Sequence, residues 1–341
     1  MKRPVLGITM GDPAGVGPEI IARALAEPGV TATSRPVVVG SAAVMKDALA
    51  LVGSPLALRA VSRIGDCRWQ AGTVECLDLG NVDAATLPRG AVSAAAGRAA
   101  YEAIETAVRL AQAGEIDGTV TAPISKEALA AAGLPHSGHT EILAALAGVR
   151  DVAMLLVGRD LAVIHVTTHV ALRRVPDLVT SDRVLRTIRL AHQTMAELGR
   201  PRPRIAVAGL NPHAGEDGLF GDEEQREIAP AVEAARGEGL DVTGPLPADT
   251  LFSRARGGEF DVVVAMYHDQ GHIPVKTLGF RYDHVRGAWT GLSGVNVTAG
   301  LPFLRVSVDH GTAFDRAWKG TANHESLREA IEVAVRLLEG R

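Results

Sequence analysis

The chain has 341 residues, 47% of them hydrophobic and 22% charged, which is enough for two buried cores. Its 35 basic and 39 acidic side chains give a formal net charge of −4. That charge offers nothing to nucleic acid or to an anionic membrane surface, and no apolar run approaches the ~18 residues of a membrane span. Cys67 and Cys76 have no further Cys or His at zinc-ligand spacing, so reduced thiols and a cytoplasmic location are expected.

Val5 to Met10 reads as a first strand, not a signal peptide, because its short apolar run enters Gly11-Asp12-Pro13 directly. Gly11-Asp-Pro-Ala-Gly-Val-Gly-Pro-Glu19 is a glycine-rich turn into a helix ending near Leu25, with Pro18 suited to the first helical turn. Its G-x-x-x-G-x-G spacing is neither the dinucleotide fingerprint nor a P-loop. Its amides are open to two uses, holding an anion or packing strand tightly on helix. Arg35 to Gly40 is a second buried strand and Ala42 to Leu51 its helix. Residues 57–80 hold two or three short strands, and Val92 to Ala113 is a long Ala-rich helix. Asp117 to Ala122 is a strand that delivers Lys126 to a helix start, where a lysine touches an anionic ligand or is simply solvated. Gly133 to Glu141 is a polar loop holding His136, His139 and Thr140, followed by a helix from Ile142.

Val152 to Val157 and Leu161 to His169 form a hairpin pair about Gly158-Arg-Asp160, with His165 and His169 on one strand face. A helix over 181–198 precedes the strand Arg204 to Gly209, which ends in Asn211-Pro-His213. Asp222 to Arg236 is helical and Val242 to Pro247 is a strand and turn. Asp261-Val-Val-Val-Ala265 is a β-branched run typical of a strand buried on both faces. Tyr267-His-Asp-Gln-Gly-His-Ile-Pro-Val-Lys276 follows at once, and Gly271 is read as breaking the chain there. Residues 277–295, with four glycines, read as a surface loop or lid. Val295 to Thr298 and Phe303 to Ser307 are strands, Asp309 to Ala313 opens a helix, and 323–339 is amphipathic.

Strands and helices alternate, so the fold class is α/β, and the length asks for two lobes. Three strand ends carry His169, His213 and His268. Neutral imidazole is the commonest ligand of zinc and similar ions, and three with an open position make a catalytic arrangement. The alternative for each is a polar strand end facing water.

The motifs Gly11 to Glu19, Gly138-His-Thr-Glu141, Thr167-Thr-His169, Asn211 to Glu216, Gly244 to Thr250, Tyr267 to Gly271 and Ser307 to Thr312 stand in an order that resembles the 4-hydroxythreonine-4-phosphate dehydrogenase family, including its 4-phospho-D-threonate and 4-phospho-D-erythronate branch. The resemblance covers essentially the whole chain. It implies a two-lobed α/β/α fold like the isocitrate and isopropylmalate dehydrogenases, with the active site in the interlobe cleft. Residues 1–130 plus 307–341 would form the first lobe, and 131–306 the second, carrying metal ligands and a dimer interface. It implies NAD bound without a Rossmann fingerprint, and one divalent ion (Zn, Mg, Co, Ni or Mn) on His169, His213 and His268. The ligands would come from both subunits of a homodimer, with His169 across from the other two. His139, Thr140, Lys276, Asn296 and Arg305 would hold the substrate, with Lys276 and Asp249 as the catalytic pair. The reaction implied is oxidation of a 4-phosphorylated four-carbon 3-hydroxy acid followed by loss of carbon dioxide, as in pyridoxine biosynthesis.

Two departures bear on the substrate. Gln270-Gly-His-Ile-Pro-Val-Lys276 resembles the catabolic branch acting on 4-phospho-D-threonate or 4-phospho-D-erythronate, which is slightly preferred, and His272 is expected to reach the substrate's C2 group. The segment from Lys276 to Asn296 is also longer than the family pattern. The alternatives are a dehydrogenase of an unphosphorylated cis-dihydrodiol dicarboxylate, a metal-dependent hydrolase, and a binding protein without chemistry.

Overall fold

A computed structural model describes residues 3–136, 138–149, 151–158, 160–285, 288–292 and 294–339. The described chain divides into two compact units, the first running to 149 and resuming over 301–339, the second covering 151–300. The fold is mixed α/β, as the alternation of elements requires.

In the first unit six strands run parallel in the order Ala57–Val61, Thr73–Asp78, Arg35–Gly40, Val5–Thr9, Gly118–Thr121 and Leu304–Val308. Val37, Val38 and Val39 are all fully buried, the mark of a parallel strand covered on both faces. Helix Ala94–Gln112 starts where Ser93 accepts a hydrogen bond from the Ala96 amide at 3.2 Å. Its buried face carries Ala96, Ala100, Ala103, Ile104 and Val108. Both cysteines are buried and free, and burial pushes the Cys67 thiol up to about 12.

Residues 131–149 belong to this first unit and not, as expected, to the second. The reason is packing: Ile142 and Leu143 of helix His139–Ala147 join Ile104, Val108, Leu129 and Phe303 in one core cluster. The return to the first unit comes at 301, six residues earlier than expected at 307. No helix opens at Asp309. That segment instead folds over the glycine-rich turn, with the Val16 amide donating to the Thr312 carbonyl and Trp318 Nε1 to the Pro13 carbonyl. The last helix spans Glu325–Glu339.

The second unit has a mixed sheet in the order Val295–Ala299, Ala153–Val157, Ala162–His165, Val262–Ala265, Ile205–Ala208 and Val242–Leu246. The first two pairings are antiparallel and the other three parallel. Helix Ser181–Glu197 lies on it. Arg183 on that helix donates to the carbonyls of Val166 and Val152 at 2.9 and 3.0 Å, tying the ends of two strands together. Helix Ala248–Arg256, which the sequence pattern did not announce, follows Val242–Leu246 directly. The expected loop over 277–295 is mostly regular: the preceding helix continues to Gly279, and Phe280–Asp283 pairs antiparallel with Ala288–Leu292. Among the described residues no helix is long and apolar enough to cross a membrane.

Candidate functional site

In the second unit the strand Val262–Ala265 ends beside the segment 166–169. The Val166 amide donates to the Ala265 carbonyl at 2.8 Å, and the Thr167 hydroxyl to the Met266 carbonyl at 2.8 Å. This explains the Thr-Thr-His motif: its first threonine locks the loop and its histidine is carried past the strand end. His169 is therefore exposed beyond the strand, not part of it as expected.

Helix His268–Gly279 starts two residues after Met266, so Gly271 does not break the chain. A methyl group on Gly271 would run into His165 Nε2 and Val163, so glycine is required for the helix to cross the strand closely. Gln270 fixes the helix start. Its Oε1 accepts from the Met266 amide and its Nε2 donates to the Gly209 carbonyl, each at 2.7 Å. His268, His272 and Lys276 recur every four residues and so share one helix face.

His268 and His169 have ring centroids 5.5 Å apart within one chain. His268 Nδ1 donates to Asp269 Oδ1 at 2.7 Å, and that bond holds the Asp269 carboxyl below its usual range. A carboxylate on one ring nitrogen leaves the other as a lone pair, the arrangement typical of a metal-binding histidine. His169, His268, Asp269 and Leu172 line a surface cavity of ≈ 360 Å³.

His272 is 5% exposed and packs against His268. The two rings stack at 3.7 Å and 9°. Burial, then the neighbouring His268, pushes His272 down to about 4, while burial and His272 push His165 down to about 3. Both are therefore neutral at physiological pH.

His213 is carried on a turn in which five successive residues, His213 to Asp217, have φ between 43° and 83°. Left-handed backbone costs non-glycine residues about 1–2 kcal/mol each, so something must hold it. Glu224, 3% exposed, does so: its Oε1 accepts from the amides of Leu210 and Asn211 at 2.7 Å each, and its Oε2 from Asn211 Nδ2 at 2.9 Å. Nothing in the sequence pattern pointed to Glu224, which stands thirteen residues beyond Asn211 in an ordinary helical stretch.

Among the described residues no group of three or more His, Cys, Asp or Glu side chains is placed to hold a metal ion. The chain gathers His169 and His268, while His213 packs by Phe220 at 6.2 Å between ring centroids. The imidazole donors and the Asp269 partner fit a divalent ion, but one chain supplies two of the three expected ligands together. The His169 and His268 rings are neighbours within one chain, at 5.5 Å between centroids.

Of the remaining expected residues in this unit, Lys276 lies on the helix with its Nζ 5.4 Å from the Phe280 ring centroid. Asp249 is in the first turn of helix Ala248–Arg256 and lines a groove of ≈ 520 Å³ with Asp269, Gln270 and Ile273. Asn296 lies in the strand Val295–Ala299 opposite Leu156.

In the first unit, His139 and Thr140 open helix His139–Ala147 behind Gly138, which offers no side-chain cap. Arg305, 3% exposed, donates to the Thr121 hydroxyl at 2.8 Å. Burial brings Arg305 down to about 9, so it stays charged at neutral pH. Burial, then the Arg305 charge, holds His139 well below its ordinary value and keeps it neutral. A neutral imidazole beside a guanidinium can accept from a hydroxyl while the guanidinium takes an anion.

The glycine-rich turn does not serve as an anion cradle. The Asp12 amide donates to Pro123, Ala14 to the Asp12 carboxylate, Gly15 to the Asp12 carbonyl and Val16 to Thr312. With those amides spent and Gly11, Gly15 and Gly17 each pressed against neighbouring chain, the turn is a packing device.

Residues 32–334 match the family described as pyridoxal phosphate biosynthetic protein PdxA. The chain is 52% identical to the D-threonate 4-phosphate dehydrogenase of Cupriavidus necator, covering 99% of this chain and 98% of that protein. It is 50% identical to the 4-hydroxythreonine-4-phosphate dehydrogenase of Beijerinckia indica, over 97% of this chain and 94% of that protein. A crystal structure of a 4-hydroxythreonine-4-phosphate dehydrogenase from Burkholderia phymatum superposes with a TM-score of 0.86 at 49% identity, covering 99% of both chains. Sequence and fold agree along the full length, and the chain belongs to the PdxA family.

Proposed function

We propose that this protein is an NAD- and metal-dependent dehydrogenase that oxidises the secondary alcohol of a 4-phosphorylated four-carbon 3-hydroxy acid, D-threonate 4-phosphate first, with loss of carbon dioxide. The observation that carries the reading is the 52% identity to a D-threonate 4-phosphate dehydrogenase over almost all of both chains. The preference within the family rests on that relative and on the form Gln270-Gly-His-Ile-Pro-Val-Lys276.

A bound divalent ion supplies Lewis acidity at the substrate's alcohol oxygen, lowering its pKa. The chain's own residues do the rest. Asp269 keeps the hydrogen of His268 on Nδ1, so Nε2 is the donor atom for the ion. Lys276 would accept the alcohol proton during oxidation at C3, for which NAD would be the hydride acceptor, and Asp249 would orient the substrate. Arg305 pairs with an anionic oxygen of the substrate, for which a guanidinium is well shaped. His139, held neutral, and Thr140 accept and donate at hydroxyl or phosphoryl oxygens, and Asn296 adds an amide.

We also propose a homodimer. Each of the three histidines is flanked by exposed large apolar side chains: Val170 and Leu172 after His169, Leu219 and Phe220 after His213, and Ile273 and Leu278 on the His268 helix. Leu172 is 68% exposed and Leu219 73%, a density of bare apolar surface that marks an interface.

The test follows reduced-nicotinamide absorbance and carbon dioxide release with D-threonate 4-phosphate, D-erythronate 4-phosphate and 4-hydroxythreonine 4-phosphate. NAD-dependent turnover that stops on chelation is expected. A tenfold higher kcat/KM for the hydroxy acid, or ~1.4 kcal/mol of differential transition-state binding, would support the preference. Turnover without NAD would replace this reading with a hydrolase.

A further inference from the structure

Beneath His268 lie two imidazoles with no role in the steps above. His165 is fully buried at the end of its strand, and His272 follows one helical turn after His268. Two buried imidazoles side by side must satisfy each other's nitrogens, and the distances leave one arrangement of hydrogens. His165 Nδ1 is 3.1 Å from the Met154 carbonyl oxygen, so it carries hydrogen and donates. His165 Nε2 is then a lone pair, and His272 Nδ1 faces it at 3.1 Å. The same His272 Nδ1 is 3.0 Å from the His268 carbonyl oxygen. A nitrogen between two acceptors carries the hydrogen. Donation therefore runs one way, from His272 to His165 to Met154.

Above this pair the His268 ring is held twice. Its face lies on His272 at 3.7 Å and 9°, and its edge donates to Asp269. Gly271 is what lets His165 lie under the helix at all.

We propose that His165 and His272 are positioning residues: a hydrogen-bonded imidazole pair, anchored on the Met154 carbonyl, that forms the platform fixing the plane of His268 with its hydrogen on Nδ1 and its lone pair on Nε2. The purpose of the platform rests on the metal role proposed for His268; its geometry does not. Asp269 alone is a weak anchor, since its side chain is 71% exposed. Asp269 selects the tautomer, and the flat surface of His272 keeps the His268 ring in the plane from which Nδ1 reaches Asp269, so rotation out of the stack breaks both contacts together.

The experiment uses the full-length protein with ¹⁵N-labelled histidine, free of metal, and reads the ring-nitrogen shifts of His268. Wild type is expected to show one tautomer, hydrogen on Nδ1. His272→Leu, which fills the space without a plane, is expected to show both tautomers, and His272→Phe, which restores the plane, is expected to return to one. A Co²⁺ titration of the same proteins should then show affinity at least about tenfold weaker for the Leu variant, the loss typical when an outer partner of a metal-binding histidine is removed, with recovery in the Phe variant. An unchanged His268 tautomer in His272→Leu, or a Phe variant that behaves like Leu, overturns the proposal. Should His272→Leu not fold, His165→Leu leaves His272 its His268 carbonyl acceptor and decides the matter by the same spectra. Wild type that binds no Co²⁺ defeats the metal reading, while the tautomer result still decides the platform.

Discussion

At the scale of single residues, burial sets charge. Asp12 is fully buried in the glycine-rich turn, and desolvation raises its carboxyl from 3.8 to about 6 despite the hydrogen bond from the Ala14 amide. A raised acid holds its proton in the folded chain where the unfolded chain has lost it. Its penalty is thus absent below about pH 4 and fully present above about pH 6, where it reaches about 3 kcal/mol. Asp12→Asn keeps an oxygen for the Ala14 amide and cannot ionise. Its stability relative to wild type should rise between pH 4 and pH 7 by up to that amount, measured by urea unfolding; a flat difference would show that Asp12 is not desolvated. The sequence singled out His169, His213 and His268 as candidate residues because each was read at a strand end. It hid His165, whose place on a strand face looked equivalent to that of His169, because strand parity does not say where the strand stops. It also hid Glu224, because a buried carboxylate that caps two distant amides has no local signature.

At the scale of elements, most boundaries were legible to within a few residues. Helix Ala42–Leu51 was read with its observed bounds, and the hairpin at Gly158 pairs as expected. Two of the misses share a cause. Glycine was read as a breaker at 271, where it serves a close crossing of helix on strand, and tertiary contact overrode local propensity at 309–313 as well. The crossing is testable. Gly271→Ala should gain a little helix propensity yet lose net stability by about 1–3 kcal/mol, because the added methyl meets the His165 ring and Val163. Apparent Tm should fall by several degrees. A variant as stable as wild type would mean that helix His268–Gly279 does not sit on His165 as described.

At the scale of the whole molecule, the split of the candidate ligands has a consequence for any dimer. Within one chain the His169 and His268 rings are 5.5 Å apart, and among the described residues no group of three or more His, Cys, Asp or Glu side chains is placed to hold a metal ion. If a site is completed from a second copy, His213 is the residue that copy gives. Mixing His213→Ala with His268→Ala subunits should then restore about a quarter of wild-type activity, because half the dimers are mixed and each has one intact site. Mixing His169→Ala with His268→Ala should restore none. Rescue by the second mixture but not the first would reverse the assignment. The three histidines stand out together in the sequence through their motifs, but sequence order carries no distance between loops.

The first unit is interrupted in the chain by the whole of the second. Its sixth strand, Leu304–Val308, and its closing helix, Glu325–Glu339, are synthesised after residues 151–300. During synthesis the first unit's sheet therefore stays open while the whole of the second is made. Through that interval Gly118–Thr121, whose partner is Leu304–Val308, is an open edge of buried-type sequence, with the Leu304 carbonyl not yet there to receive the Thr119 hydroxyl. The part of the chain that begins first finishes last, and its unpaired edge is the point at which a nascent chain is most exposed to wrong pairing.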